Sequence, residues 1–496
     1  MTVRTTPATP APPPATPGRP VGTPATPVEN GALGRFFKIA ENGSTVGAEV
    51  IGGLTTFFVM AYILIVNPVI LNFVGIPDLQ DKNLGPGFAP TVAMTALTAG
   101  ILTIAMGLYT NRPFAMAAGL GLNAAVAFQL ILGSQLPWQA AMGIIFMEGI
   151  LITVLVLTGL REAILDAIPL ALKRAISVGI GLFILFIGLN IAGFVTRGAP
   201  GGPPVALSGL NTGPVLTAVI GLALTLVLFA RGVRGALLIG ILGTTAIAAV
   251  LHAVFPGYVV STAPGKAVMP ESLVAVPDLS TAFQGINFQS IAIMGALAAA
   301  LAVFTIMLSD FFDTMGTVIG IGGQAGWLDD QGRLPGARRV LLVDSVGAAF
   351  GGAMSASSNT TYIESAAGVS AGARTGLASV VTGVLFLLSM FLWPWAAIVP
   401  GEATAPALII VGFLMAAIAT KIDLANIDEG LPALLTMTVM PFTYSITNGI
   451  GAGFVTYVFI KLVRGRAGDV HPLMWVVALA FVIYFAEAVL FGKSFR

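Results

Sequence analysis

The sequence predicts an all-α polytopic membrane protein of about fourteen transmembrane segments, arranged as a seven-plus-seven inverted repeat. Three observations carry that expectation. Charged residues make up only 9% of the 496-residue chain, apolar residues make up 56%, and the mean hydropathy is +0.94. A soluble domain carries about 25% charged residues, so most of this surface must meet lipid. Apolar runs recur along the chain at the length that a hydrocarbon core of about 30 Å demands, roughly 20 helical residues. Finally, the third segment of each half breaks the pattern in the same way, being short, small and polar.

In chain order, residues 1–33 are rich in Pro, Thr and Ala, with the tripeptide Ala-Thr-Pro at 8–10, 15–17 and 25–27. Such a composition cannot bury apolar area, so a disordered cytoplasmic tail is expected. It has no apolar core of the kind a signal peptide needs. The first half, 34–255, holds segments 1 to 7 at 49–71, 90–109, 115–131, 138–159, 173–196, 213–230 and 234–255. A polar, Pro-containing stretch, 256–289, reads as an extracytoplasmic linker. The second half, 290–464, holds segments 8 to 14 at 290–321, 339–355, 360–371, 375–397, 404–420, 431–447 and 449–464. One more apolar helix, 473–491, and a short tail complete 465–496.

Positive charge orients this arrangement. With the N-terminus cytoplasmic, the inner loops hold Arg112; Arg161, Lys173 and Arg174; Arg231 and Arg234; Arg333, Arg338 and Arg339; Arg374; Lys421; and Lys461, Arg464 and Arg466. The outer loops hold only Lys82, Arg197 and Lys266, three against fourteen. The bias also favours two short crossings over 431–464, because a single helix would carry the 461–466 cluster outside.

The halves resemble each other weakly. AIPLALKRAISVGIGLF (167–183) and AIVPGEATAPALIIVGFL (397–414) both place a Pro at the mouth of an apolar helix. The anomalous third segments are AMAAGLGLNAA (115–125) and GGAMSASSNTTYIESAAG (351–368). An odd number of spans per half inverts the second half, and matching interrupted segments in inverted repeats point to a transport site near the midplane. Irregular backbone survives at that depth only when packed in protein or lining a cavity.

Six carboxylates fall inside apolar spans: Glu148, Asp310, Asp313, Asp344, Glu364 and Glu487. Each costs roughly 2.5–3.5 kcal/mol on insertion scales, so something must offset it. Asp310, Asp313, Thr314 and Thr317 in LSDFFDTMGT lie within an arc of about 100° on one helix face. That polar stripe should face the protein interior, either bracing helix packing or serving a site. Glu364 sits in NTTYIESAAG among hydroxyls and an amide, Thr361 included, with Gly and Ala allowing close approach. A carboxylate there can accept hydrogen bonds from the ring N–H groups of a planar heterocycle, while Asn123 meets its carbonyl and ring nitrogens. Glu148, Asp344 and Glu487 lack such polar neighbours in sequence and read as structural.

Several function classes fall away. The chain has no cysteine, and its two histidines, His252 and His471, lie far apart, so no metal or other cofactor is expected. A net charge of +1 gives no reason to expect nucleic acid as a partner. No G-x-x-x-x-G-K-[ST] motif is present, which leaves an ion gradient as the driving force. A membrane-embedded enzyme would need a nucleophile or metal ligands beside its carboxylates. An anion carrier usually places positive charge at the site, and these candidates are acidic.

The motifs GGLTTFFVMAYILIVNPVIL (52–71), AAGLGLNAAVAF (117–128), AIPLALKRAISVGIGLFILFIGL (167–189), LSDFFDTMGT (308–317), AGWLDDQGRLPGARRVLLVDSVG (325–347), TTYIESAAGVSAGARTG (360–376), ATAPALIIVGFLM (403–415) and MPFTYSITNGI (440–450) together carry a resemblance. From about residue 35 onward the chain resembles the AzgA-like adenine, guanine and hypoxanthine permeases of the nucleobase–cation symporter-2 superfamily. The resemblance implies a uracil-permease-like fold with core and gate domains and a short strand in each of segments 3 and 10. It implies that Asp313 and Glu364 grip a purine nucleobase and that Asn123 and Gly121 line the opposite wall; Thr317, on the polar stripe, and Thr361, beside Glu364, are further candidates for substrate binding. Asp310, with Glu364, would serve proton coupling. An elevator-like movement, an inner-membrane location and a homodimer are implied in the same way. The DFFDT and TTYIES patterns favour salvage purines over uracil.

Overall fold

Among the described residues, ten helices are long and apolar enough to cross a membrane: Val46–Leu71, Phe88–Thr110, Trp138–Thr158, Leu170–Ile191, Gly213–Ala230, Ala236–Val254, Ala296–Ala325, Gly376–Ala396, Gly401–Lys421 and Ile446–Val463. They are segments 1, 2, 4 to 8, 11, 12 and 14. This computed structural model describes residues 31–160, 167–198, 202–209, 211–255, 265–270, 272–329 and 333–491. Most of the expected tail, the side chain of Glu487, Arg161 and part of the 256–289 linker lie outside the described residues. Segments 9 and 13 are the 17-residue helices Ala337–Ala353 and Ile427–Thr443.

Segments 3 and 10 are composite, as expected. In segment 3, strand β1 (Met116–Ala118) leads into a helix, Leu120–Ala124, that continues as a π-helix over Ala125–Gly133. Segment 10 runs from strand β4 (Asn359–Thr361) into the short helix Ser365–Ser370. Strands β2 (Val195–Arg197) and β3 (Val205–Leu207) form a separate hairpin between segments 5 and 6.

The helix pairings reproduce themselves when every segment is shifted by seven. Segment 2 packs on 11, and segment 9 on 4. Segment 1 packs on 11 and 10, and segment 8 on 4 and 3. Segment 6 packs on 12, and segment 13 on 5. This is the contact pattern of the inverted repeat that the odd span number anticipated. Segments 1–4 with 8–11 form one packing group, and 5–7 with 12–14 a second. The groups meet where segments 3 and 8 face 5, where segment 8 faces 14, and where segment 1 faces 7 and 12.

Small residues set the closest of these contacts, as expected for helices associating in lipid without a hydrophobic drive. A Cβ on Gly107 would stand 2.4 Å from the Gly376 carbonyl oxygen, and one on Gly149 would stand 2.0 Å from the Ala349 nitrogen. Segments 2 and 11, and their repeat mates 4 and 9, thus touch backbone to backbone. Segments 6 and 7 do the opposite and expose Leu216, Val219, Leu226, Leu242 and Val250, a face suited to lipid.

Segments 13 and 14 are two antiparallel crossings, as the positive charges required. The chain reverses at Tyr444, in the left-handed region at φ 50°, and Ser445 caps segment 14 by accepting from the Asn448 amide. At the other end buried Asp428 accepts from Lys461 Nζ at 3.3 Å, from Arg466 at 3.0 Å and from Arg464. The basic cluster at 461–466 therefore sits at the end where segment 13 begins. The last helix, Pro472–Phe491, packs on segments 8 and 14.

Candidate substrate site where the two interrupted segments meet

A strand inside a membrane protein leaves its outer-edge N–H and C=O groups without water, so each needs an internal partner. β1 and β4 pair antiparallel, with Met116 opposite Thr361 and Ala118 opposite Asn359. Two further backbone bonds extend the ladder, from the Gly119 amide to the Ser358 carbonyl and from the Tyr362 amide to the Ala115 carbonyl, each 2.9 Å. Side chains pin the outer edges. On β1, the Thr103 hydroxyl accepts from the Met116 amide at 2.9 Å and donates to its carbonyl at 3.1 Å. On β4, Asp344 accepts from the Thr361 amide at 2.8 Å and from the Thr361 hydroxyl at 2.7 Å. The Thr314 hydroxyl donates to the other Asp344 oxygen at 2.7 Å and meets Thr360 Oγ1 at 2.7 Å. Asp344 therefore ties segments 8, 9 and 10 together, the structural role read for it in sequence.

Glu364 follows directly on this ladder. Its Oε1 accepts from the Tyr62 hydroxyl at 2.6 Å. Tyr62 stands at the break between Val46–Met60 and Ile63–Leu71, where segment 1 loses its regular helix. The Tyr362 hydroxyl reaches across to the Ala118 carbonyl at 2.5 Å. Asp313 lies within electrostatic reach of both Glu364 and Asp344. Asp313 and Glu364 are packed deep in the protein, yet each keeps accessible surface. They thus border open space, with exposed Gly316 and Ile363 beside them. Two carboxylate groups, a tyrosine hydroxyl and an interrupted backbone are the equipment needed to hold a planar solute rich in N–H donors.

The structure divides the polar stripe of segment 8. Thr314 goes to Asp344 and Thr360, Asp310 to Glu148, and Asp313 is within electrostatic reach of Asp344 and Glu364. Thr317 is buried one turn beyond Asp313. The Thr361 hydroxyl, expected at the site, donates to Asp344, as does its amide. Asn123 is fully buried; its amide points to the Ala118 carbonyl at 3.5 Å, while Oδ1 has no partner among the described residues. Gly121 packs on segment 5, where a Cβ would stand 2.4 Å from Ile180 Cγ2. Its lack of a side chain fits the helix contact as well as a wall. Sequence reasoning missed Tyr62 and Tyr362. Both lie in quoted motifs, but a tyrosine in an apolar helix gives no signal until its hydroxyl has a partner.

A second cavity, lined by Gln129, Ala298, Ala302, Tyr444, Thr447 and Tyr484, opens between segments 3, 8 and 14. Polar contacts cross beside it. Gln129 Nε2 donates to Thr447 Oγ1 at 2.6 Å, Gln129 Oε1 accepts from the Ile446 amide at 2.8 Å, and Thr305 Oγ1 meets Thr447 Oγ1 at 2.8 Å. Thr305 precedes Asp313 by two turns of segment 8, about 12 Å along the helix. These bonds join the two packing groups on one side of the carboxylates.

Comparison with known proteins identifies the family and the fold. Residues 47–451 match the model of the family described as "Permease family". The chain is 40% identical over 451 residues to the guanine/hypoxanthine permease PbuG of Bacillus subtilis, covering 91% of this chain and 98% of that one. It is 38% identical over 453 residues to the adenine permease AdeP of Escherichia coli, covering 91% and 96%. Among solved structures, the transmembrane domain of a cyanobacterium bicarbonate transporter, BicA, superposes with a TM-score of 0.57 at 13% identity, covering 82% of this chain and 96% of that one. At that identity the likeness speaks for the fold alone. The resemblance drawn from the motifs holds across nearly the whole chain, and the relatives are transporters rather than enzymes. The chain is a multi-pass membrane protein that belongs to the permease family.

Proposed function

We propose that this permease imports purine nucleobases, with hypoxanthine, guanine and adenine as the candidate cargo, by proton symport. The observation that carries the reading is the placement of Asp313 and Glu364 beside the β1–β4 ladder, on open space, with Tyr62 orienting Glu364. Carboxylates accept hydrogen bonds from the ring N–H groups of a purine. Asn123, whose Oδ1 has no partner among the described residues, and backbone at the ladder supply the complementary groups.

Segments 1–4 and 8–11 act as the core and segments 5–7 and 12–14 as the gate. An elevator-like movement of core against gate breaks and remakes contacts such as Gln129–Thr447. The N-terminus lies in the cytoplasm, the membrane is the inner membrane, and two copies associate through the gate, a reading supported by the positive-charge bias and by the resemblance. An anion-carrying alternative lacks support, because among the described residues no Lys or Arg forms an ion pair with Asp313 or Glu364.

The test is uptake in cells lacking their own purine carriers. Expression of this chain should produce accumulation of at least one labelled purine from hypoxanthine, guanine and adenine, abolished by a protonophore. Failure of all three to accumulate, with the protein present in the membrane, contradicts the reading.

A further inference from the structure

Segment 4 packs on segment 8 and brings a second carboxylate, Glu148, to Asp310. Glu148 and Asp310 are both 0% exposed, and none of their four carboxyl oxygens has a hydrogen-bond partner among the described residues. Glu148 lies within side-chain hydrogen-bonding reach of Asp310 and stands beside Ser358, whose buried hydroxyl is also unpartnered. The charged and titratable neighbours are all acidic: Asp344 acts on both groups, and Asp313 acts on Asp310. No lysine, arginine or histidine is among them. Asp344 differs sharply from the pair, since three donors stabilise it as an anion.

Two facing buried carboxylates with no cation among their charged neighbours, and only the Ser358 hydroxyl beside Glu148, cannot both be ionised, because like charges at contact distance repel and burial strips their hydration. One proton between them turns two opposed acceptors into a donor and an acceptor. We propose that Glu148 and Asp310 form a proton-binding pair, distinct from the substrate carboxylates, and that this pair carries the coupled proton. The inference rests on the proton-symport reading and adds Glu148, which otherwise looks like a stray charge in an apolar helix. Asp313 links the two sites. It stands one turn from Asp310 on segment 8, so a purine that donates to Asp313 changes the field in which the pair holds its proton.

The test uses the purified full-length protein in liposomes. Wild-type protein should accumulate labelled hypoxanthine, guanine or adenine under an imposed inward proton gradient and should catalyse counterflow without one. Glu148→Gln and Asp310→Asn should each lose gradient-driven accumulation, with the internal-to-external ratio falling to unity, while counterflow continues. In infrared difference spectra, the protonated-carboxyl C=O band that wild-type protein shows on H/D exchange should shift in frequency in both variants, because the remaining carboxyl loses its partner. Unaltered gradient-driven accumulation by Glu148→Gln overturns the pair, as does a carboxyl band unshifted in both variants. Accumulation driven by a sodium gradient in wild type and lost in Glu148→Gln would overturn the proton as occupant. Absence of counterflow from the wild type would instead contradict the purine reading itself. If Glu148→Gln does not fold, the infrared band and gradient dependence of Asp310→Asn decide alone.

Discussion

Replacing Glu364 with Gln should abolish high-affinity purine binding while leaving the protein folded. The carboxylate has two acceptor oxygens, one of them already engaged by Tyr62 at 2.6 Å. The amide can keep the Tyr62 bond through its carbonyl oxygen, so the break in segment 1 and the start of segment 10 should hold. What it then turns toward the ligand is an NH2 group, a donor facing the N–H donors of the ring. A hydrogen bond to a charged group contributes roughly 1.5–3 kcal/mol, and removing it costs about 10- to 150-fold in affinity. The mismatch of two facing donors adds to that. Calorimetry or a radioligand assay on purified protein measures the change, and an unaltered Kd would remove Glu364 from the site.

Replacing Asp344 with Ala should be the most damaging change to stability. It leaves the Thr361 amide and hydroxyl without their acceptor, both of them buried, and leaves the Thr314 hydroxyl only Thr360 Oγ1 to meet. Each orphaned buried group costs about 1–3 kcal/mol, so the loss is on the order of several kcal/mol. Because β4 has its other edge on β1, the damage reaches both interrupted segments at once. Thermal unfolding in detergent should shift strongly downward, and uptake should vanish with it. Asp344→Asn keeps one acceptor oxygen and should recover part of the stability. An Ala variant that melts with wild-type protein would show that Asp344 does not anchor the ladder.

Much of the architecture was legible in the sequence because lipid imposes its own rules on composition. Span lengths, the polar and Leu-free stretch 351–368 and the positive charges at 461–466 each translate into structure through one physical requirement. The two short crossings over 431–464 are a case in point: the Asp428 cluster places those charges beside the start of segment 13. The site was legible at the level of one helix and no further. Spacing along segment 8 put Asp310, Asp313 and Thr314 on a common face, but it could not show that Thr314 would donate to Asp344 or that Glu148 would stand beside Asp310. Thr361 was selected for its hydroxyl, which Asp344 uses to hold the strand. Glu148 carried no local polar company and so gave no sign; its counterpart arrives from a helix more than 150 residues away in sequence. Tyr62 was hidden for the same reason.

The central claim is that a purine lies between segments 8 and 10, held by carboxylates on both. Cryo-electron microscopy of the protein saturated with whichever purine it accumulates addresses this directly. Ring density within hydrogen-bonding distance of Asp313 and Glu364, against the β1–β4 ladder, is the expected result. Well-ordered density for the ring anywhere else, such as the Gln129–Tyr444 cavity, with Asp313 and Glu364 touching no ligand, would contradict it.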